Sequence, residues 1–503
     1  MIYKEENETN LEYKARVIDP KSASFCGAKW GNATIWLGNG MKASCHHPPA
    51  HKIRVEDILA NPRGLHNTLH SKTTRKQMQA GERPAECDYC WRVEDMGRDA
   101  VSDRVFKTVI YTEEELNNWF QGDADADVDL VALEISFDRV CNFACSYCNA
   151  SFSTTWGKDI TKNGPYQNLV SDGAAAFQQD GKWAQPYRLD EDNPYIHAFW
   201  QWWDNGLQDS LRELRITGGE PLMSNQVWKL FDIFKARELE MQFSINSNLG
   251  AKRDLIDKLI KESHGVKNLD VYTSCEAYGE QAEYIRDGMK FGFSLPYRRN
   301  SWMHRQRSFD HNRPSFTGNL EALIAEGNCR STHVMMTINS LCLFSITDWL
   351  DWMIGIKERF GKQHCCWSVN ILRFPSFMSP LALPDHIRTE RKEHLENWFN
   401  DNCYHPRMNE MEREGIQRLI DYLDVVKTPH RRTSSLETQQ RDFKSFYQQY
   451  DQRRGKDFRK TFPKILVDWY DSIPETQLNE VQLLRDGDST KHNPGQDEEG
   501  NPT

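Results

Sequence analysis

No stretch of this chain approaches the ~20 consecutive apolar residues that a membrane-spanning helix requires. The opening segment, MIYKEENETNLEYKAR, also lacks the apolar core of a secretory signal peptide. Together these absences predict a cytoplasmic protein without a membrane partner. Positive charge is scarce too: 63 Lys and Arg against 73 Asp and Glu leave a net charge of −10. No long Lys/Arg run is present, whereas a nucleic-acid binder ordinarily carries a basic stripe, so the charge argues against that partner. The densest basic cluster, Arg298, Arg299, Arg305 and Arg307, reads as a solvated loop. Residues 485–503 contain no large apolar side chain and read as a disordered tail. No internal repeat stands out.

What the chain does have is size, aromatics and cysteine. Its 503 residues suffice for two or three domains and a barrel-sized core. The 16 Trp predict a core or pocket rich in large flat side chains. In a reducing compartment, clustered cysteines hold metal more often than they form disulfides, so the 13 cysteines are informative. Seven fall early, in two groups: Cys26, Cys45, Cys87 and Cys90, then Cys141, Cys145 and Cys148. Between the groups lies QGDADADVD, residues 121–129, an acidic linker. Its Asp123, Asp125 and Asp127, with Glu134, imitate a calcium loop, but Val128 stands where such a loop needs Gly and a strand follows.

From Leu130 strand and helix signals alternate. Strands are predicted at 130–137, 211–217, 241–245, 269–273, 333–338 and 367–372. Helical spacing appears at Val227, Leu230, Phe231 and Phe234, at Leu255, Ile256, Leu259 and Ile260, and around 349–360. Six strands with intervening helices predict a parallel sheet covered by helices, an open or closed α/β barrel. Beyond Pro384 only helical stripes remain, among them Ile416, Leu419, Ile420 and Leu423, then Phe443, Phe446, Tyr447 and Tyr450, read as packing faces. The run Phe199-Trp-Gln-Trp-Trp203 reads as helix packing, with a lid as the other reading.

The segment Cys141-Asn-Phe-Ala-Cys145-Ser-Tyr-Cys148 has the spacing C-x3-C-x2-C directly after a strand. Three thiolates on so short a loop can converge on one compact cluster. A [4Fe–4S] cube ordinarily takes four cysteines, so three leave one iron open to a small molecule. A three-cysteine zinc site borrowing a histidine is the alternative. Gly218-Gly219-Glu220-Pro221 follows the next predicted strand; its glycines permit close backbone approach and Glu220 offers a carboxylate to an amine.

The two motifs, in that order, resemble the radical S-adenosylmethionine superfamily, whose C-x3-C-x-aromatic-C loop follows the first strand of a partial (β/α)6 barrel. The resemblance implies a catalytic [4Fe–4S] cluster on Cys141, Cys145 and Cys148, with Tyr147 against the adenine. Gly218, Gly219 and Glu220 would hold the methionyl amine. Ser247-Asn248 would face the ribose, Ser274 would contact the cofactor, and Arg286 would pair with the methionyl carboxylate. The implied chemistry is reductive cleavage of S-adenosylmethionine to a 5′-deoxyadenosyl radical, which takes hydrogen from a peptide or small metabolite. A flavodoxin or ferredoxin would supply the electron.

Cys26 and Cys45, with Gly40 between them, give C-x13-G-x4-C, followed by Cys87-Asp-Tyr-Cys90 and Trp91. This resembles the twitch module, the single-cluster relative of SPASM, in the MoaA/NifB/PqqE-like group. It implies a second, auxiliary [4Fe–4S] cluster; a structural zinc ribbon is the alternative. In most relatives the module follows the barrel, whereas here it precedes it. His46, His47 and His51 read as loop or pocket residues. Cys275, Cys329, Cys342, Cys365, Cys366 and Cys403 lack ligand spacing, with Cys275 notable for its strand-end position. The expected organisation is an auxiliary-cluster module over 1–127, the barrel over 128–380, a helical extension over 381–484 and the tail. Two other readings stay open: a zinc-stabilised binding protein, and an iron–sulfur electron carrier without S-adenosylmethionine chemistry.

Overall fold

The alternating pattern resolves into one dominant sheet in the computed structural model, which describes residues 3–97, 100–178, 191–292, 315–361, 365–425 and 434–474. In chain order its strands are β1 (Asn32–Trp36), β2 (Met41–Ala43), β3 (His51–Lys52), β4 (Ala132–Ser136), β5 (Ala144–Cys145) and β6 (Glu213–Ile216). There follow β7 (Gln242–Asn246), β8 (Leu269–Ser274), β9 (Arg286–Asp287), β10 (Ser331–Ile338) and β11 (Cys365–Ile371). Nine of these form a sheet in the order β11-β10-β8-β7-β6-β4-β1-β2-β3, and β5 pairs with β9 apart from it. From β11 across to β1 every joint is parallel. β2 and β3 close that edge antiparallel.

Parallel neighbours need crossovers. Here these carry helices Pro194–Trp202, Asn225–Ala236, Arg253–Ser263, Phe316–Glu326 and Ile346–Phe360, each between successive strands of the six that the sequence predicts. The fold is α/β, a largely parallel sheet packed by helices. One face is apolar: Leu133, Ile135, Phe243, Ile245, Val334 and Trp367 are all buried, and Phe243 stacks on Phe234 of a crossover helix at 4.3 Å. The alternate residues, Glu134, Arg215, Tyr272, His333 and Cys366, are polar and half-buried on the other face.

The sequence reading placed no strand before Leu130. β1 nevertheless pairs with β4 over five residues, Asn32↔Ala132 to Trp36↔Ser136. One sheet therefore crosses the expected boundary at 127/128. The acidic stretch is also no free linker, for Lys76 meets Asp125, Lys72 meets Asp127 and Arg63 meets Asp129 at 2.6, 2.8 and 3.0 Å. The aromatic run lies on helix Pro194–Trp202 and packs inward, with Phe199 edge-on to Phe137 at 5.2 Å.

The C-terminal region is helical as expected: Asp385–Asn402, Glu410–Leu423, Leu436–Arg454, Phe458–Thr461 and Lys464–Ser472. Glu410–Leu423 docks on helix Ile346–Phe360 through a buried ion pair, Lys357 to Glu412 at 2.7 Å, and on β11 where Glu412 accepts the Trp367 N–H. Lys357→Met leaves that carboxylate buried and unpaired. We expect a loss of about 3 kcal/mol in urea unfolding, largely restored by adding Glu412→Gln. No described helix is long and apolar enough to cross a membrane. The Arg298–Arg307 cluster, residues 179–185 of the polar loop and the 485–503 tail lie outside the described residues.

Candidate functional site

The cysteine loop begins where β4 ends. Ser136 Oγ donates to the Asp138 carbonyl, and the Asp138 carboxylate accepts the Val140 N–H at 2.9 Å, turning the chain out of the sheet. The helix after the loop, Thr154–Asn163, clamps it: Thr155 Oγ1 donates to the Cys141 carbonyl and Trp156 Nε1 to that of Cys145. Cys145 is also fixed by β5, where it stands opposite Arg286 of β9. Burial pushes the Cys141 thiol up to about 12, with Cys145 and Glu220 adding to the effect. Cys148 is raised further by burial and by Cys145 and Cys141, so the three sulfurs lie within electrostatic reach of one another. Donors converge on them: Phe143 N–H and Asn248 Nδ2 on Cys141 Sγ at 3.4 and 3.8 Å, and Arg286 Nη1 on Cys145 Sγ at 3.9 Å.

The Gly-Gly-Glu turn after β6 lies against this loop. A Cβ on Gly219 would stand 2.2 Å from the Val140 carbonyl oxygen, and one on Gly218 would stand 2.6 Å from that of Asp138. Gly218 also has φ +121°, a conformation that other residues avoid. These glycines let two strand-end loops touch, and the Glu220 N–H seals the contact by donating to Val140 O at 2.6 Å. Gly219→Ala forces backbone apart, so we expect lower thermal stability and weakened metal retention, read by unfolding and iron content.

Glu220 itself is 1% exposed. One carboxylate oxygen accepts Ser247 Oγ at 2.7 Å and the Leu222 N–H at 3.2 Å, and the other accepts the Asn248 N–H at 2.7 Å. None of these partners is a cation. Burial pushes the carboxyl up to about 7 despite the three bonds. A carboxylate offers about four acceptor positions, so one is left over.

The remaining expected residues gather at the same strand ends, in altered roles. Ser247 and the Asn248 backbone serve Glu220 instead of facing outward, and Asn248 Nδ2 donates to Asn142 at 2.8 Å, tying the β7 loop to the cysteine loop. Arg286, expected to pair with the methionyl carboxylate, gives its Nε and Nη2 to Glu276 at 3.1 and 2.6 Å. Tyr147 donates its hydroxyl to the same Glu276 at 3.2 Å, and the Arg286 guanidinium carbon lies 5.4 Å from its ring. Ser274 is half-buried at the end of β8. The sequence reading assigned Glu276, two residues beyond Ser274, no role.

Cys26, Cys45, Cys87 and Cys90, separated by up to 64 positions, lie close enough to act on one another electrostatically: burial raises Cys26 to about 12, and all three other sulfurs contribute to the rise. Burial also raises Cys87, to about 11, and Lys29 opposes that rise. Lys29 is 4% exposed and meets Glu86. A cation so placed stabilises thiolate over thiol. His47 stacks on Tyr89 at 3.9 Å and bonds Asp103, and His51 bonds Thr68; neither is turned over to the sulfurs. The Thr34↔Ala43 pairing carries Cys45 back to the end at which β1 and β4 begin, opposite the Cys141 loop. Five residues of strand, ~16 Å at ~3.3 Å each, lie between those ends. Among the described residues no group of three or more His, Cys, Asp or Glu side chains is placed to hold a metal ion.

The C-terminal helix Leu436–Arg454 backs the cysteine loop. Tyr450, fully buried, donates to the Tyr284 carbonyl at 3.0 Å and reaches that of Ala144 at 3.4 Å. The Arg454 guanidinium carbon lies 4.5 Å from the Trp156 ring, and Arg454 also pairs with Asp287 at 3.2 Å.

No protein-family model matches this chain, and no curated protein matches it in sequence. Among solved structures it is similar to Streptococcus suis SuiB bound to the precursor peptide SuiA, with TM-score 0.32 and 11% identity over 73% of this chain and 68% of that one. SuiB bound to S-adenosylmethionine gives TM-score 0.31 and 10% identity, with 73% and 68% covered. Likeness of this degree fixes neither family nor activity.

Proposed function

We propose that this chain is a radical S-adenosylmethionine enzyme. On this reading Cys141, Cys145 and Cys148 hold a catalytic [4Fe–4S] cluster, and Cys26, Cys45, Cys87 and Cys90 hold an auxiliary one. The observation that carries it is Glu220: a buried acid, bonded on three sides by neutral donors, close to Cys141 and, among the described residues, without a cation. Burying a carboxylate this way is costly unless a positive group arrives. The ammonium of S-adenosylmethionine is such a group, and Glu220 has one acceptor position left for it.

When bound, the cluster and S-adenosylmethionine supply one-electron cleavage of a sulfonium, giving methionine and a 5′-deoxyadenosyl radical able to take hydrogen from a C–H bond. The chain's own residues bind, orient and shield. Glu220 fixes the amine, Gly218 and Gly219 bring its loop against the cysteine loop, and Asn248 bridges the two. Glu276 holds Arg286 against Cys145 and, with it, the Tyr147 ring. Trp156, Tyr450 and Arg454 keep water from the far side of the loop.

The parallel strands β4, β6, β7, β8, β10 and β11 then form a partial (β/α)6 barrel, with residues 1–127 as a twitch-like module on its first strand. A flavodoxin- or ferredoxin-type donor and a peptide or small-molecule substrate complete the system in the cytoplasm. The test is anaerobic reconstitution with counting of iron and sulfide, then assay of 5′-deoxyadenosine under dithionite. Two cubes predict about eight irons per chain. Metallated protein that never releases 5′-deoxyadenosine sinks the reading, as does stoichiometric zinc in freshly isolated protein.

A further inference from the structure

The polar face of the sheet carries a connected group of side chains that the chemistry above leaves unused. Strand register sets Arg215 between Glu134 and Ser244, and His333 between Tyr272 and Cys366. The members touch in series. The Arg215 guanidinium carbon is 4.5 Å from the Tyr272 ring centre, that ring is 5.3 Å from the His333 imidazole, and His333 Nδ1 is 3.1 Å from Cys366 Sγ. All four are half-buried, so a ligand can reach them.

Arg215 is the member without a match. Among the described residues its carboxylate contact is Glu213 at 3.8 Å, too far for a hydrogen bond. Its Nε is buried without an acceptor, and on the adjoining strand Ser244 Oγ and Asn246 Oδ1 are likewise buried without partners. Buried polar atoms ordinarily find partners, so three orphans on neighbouring strands outline a polar ligand. No second cation competes for it along the series: burial, with Arg215 adding to it, holds the His333 imidazole down at about 4 and therefore neutral.

We propose that Arg215 receives a carboxylate of the substrate in a planar two-point contact, with Ser244 donating to it and Asn246 accepting an adjacent N–H. This deepens the radical-enzyme reading and rests on it for calling the ligand a substrate. A carboxylate fits better than a phosphate because the same rung holds two acids. Glu134 flanks Arg215 directly, and Asp270, register partner of Ser244, is already bonded to Arg330 and Ser331. Arg215 and Lys107 both act on Glu134, so together they leave one positive charge for a monoanion, while a dianion would be repelled.

Tyr272 is the reporter, because its ring centre lies 4.5 Å from the Arg215 guanidinium carbon and a ligand there shields it. In the full chain with reconstituted clusters and no S-adenosylmethionine, its acetylation by N-acetylimidazole is followed by peptide mass spectrometry. The probes are the monoanions butyrate and the blocked tripeptide N-acetyl-Ala-Glu-Ala-amide, against butyramide, the Gln tripeptide and inorganic phosphate. The acids are expected to slow acetylation and the amides not. Arg215→Gln is expected to raise the acid concentration for half-protection about tenfold, the worth of one charge-assisted contact. Stronger protection by the Glu tripeptide than by butyrate identifies a peptide carrier, and the reverse a small acid. Equal protection by acid and amide, no protection at all, better protection by phosphate, or unaltered protection in Arg215→Gln each overturns the proposal. The acid-against-amide comparison uses the natural chain, so it decides even where the variant does not fold. Protection without any 5′-deoxyadenosine overturns the radical reading alone; 5′-deoxyadenosine without protection overturns the carboxylate site alone.

Discussion

Replacing Cys141, Cys145 and Cys148 together with Ala is expected to remove about half of the iron and all release of 5′-deoxyadenosine. Two four-iron cubes on separate ligand sets predict a drop from about eight irons per chain to about four. The two sets lie at opposite ends of the β1 and β4 pair, so emptying one need not empty the other. Replacement of Cys26, Cys45, Cys87 and Cys90 should accordingly remove the other half and spare the slow cleavage seen without substrate. Iron analysis and chromatography of the nucleoside check both halves. Loss of all iron from either variant would show that the sets do not load independently.

Glu220→Gln should cut affinity for S-adenosylmethionine by two to three orders of magnitude while leaving the thermal midpoint little changed. The affinity loss follows from removing the charge proposed to hold the ammonium, a buried contact of about 3–4 kcal/mol. The small stability change has a different source. Gln sets one amide N–H₂ against the Asn248 N–H, an unfavourable contact, but it also removes a buried charge that has no counter-ion in the free protein. A merely structural Glu220 would show the opposite pattern, with stability falling and affinity following. The pH dependence gives a further check. The carboxyl is held at about 7 by burial, so it is largely protonated below that value and binds the ammonium poorly. Natural-chain affinity should rise as pH climbs through about 7, and the Gln variant should lack that rise. The ligand-free fold responds with the other sign: a carboxyl raised above its unfolded value favours the folded state at low pH, and that contribution fades between about 4.5 and 7.

Some of this site was plain in the order of residues. The spacing of Cys141, Cys145 and Cys148 and the Gly-Gly-Glu turn are local, and each sits directly behind an apolar alternation that formed the expected strand. What stayed hidden depends on partners distant in the chain. β1 is five residues, Asn-Ala-Thr-Ile-Trp, among cysteine-bearing turns, and nothing local says that it pairs with Ala132–Ser136. Glu276 gains its part only when Arg286 folds back to meet it. Lys29 is a residue type seldom buried, and no pattern announces its place beside Cys87. The stripe of Phe443, Phe446, Tyr447 and Tyr450 foretold a buried face but not that it backs the cysteine loop. Cys366 seemed idle because its neighbour His333 lies on the next strand.

The pairing of β1 with β4 has a consequence for how the chain can be divided. Were the first 127 residues cut away, β4 would become a naked border of the sheet, with its N–H and C=O groups on that side open to solvent. Exposed borders recruit other chains by templated hydrogen bonding, and proteins shield them for that reason. Here the shield is β1 with the β2–β3 turn-back, supplied by the cysteine-bearing segment itself. A trimmed version would therefore be prone to clump, whatever its clusters do, and the leading segment cannot be lifted off or transplanted like a cassette.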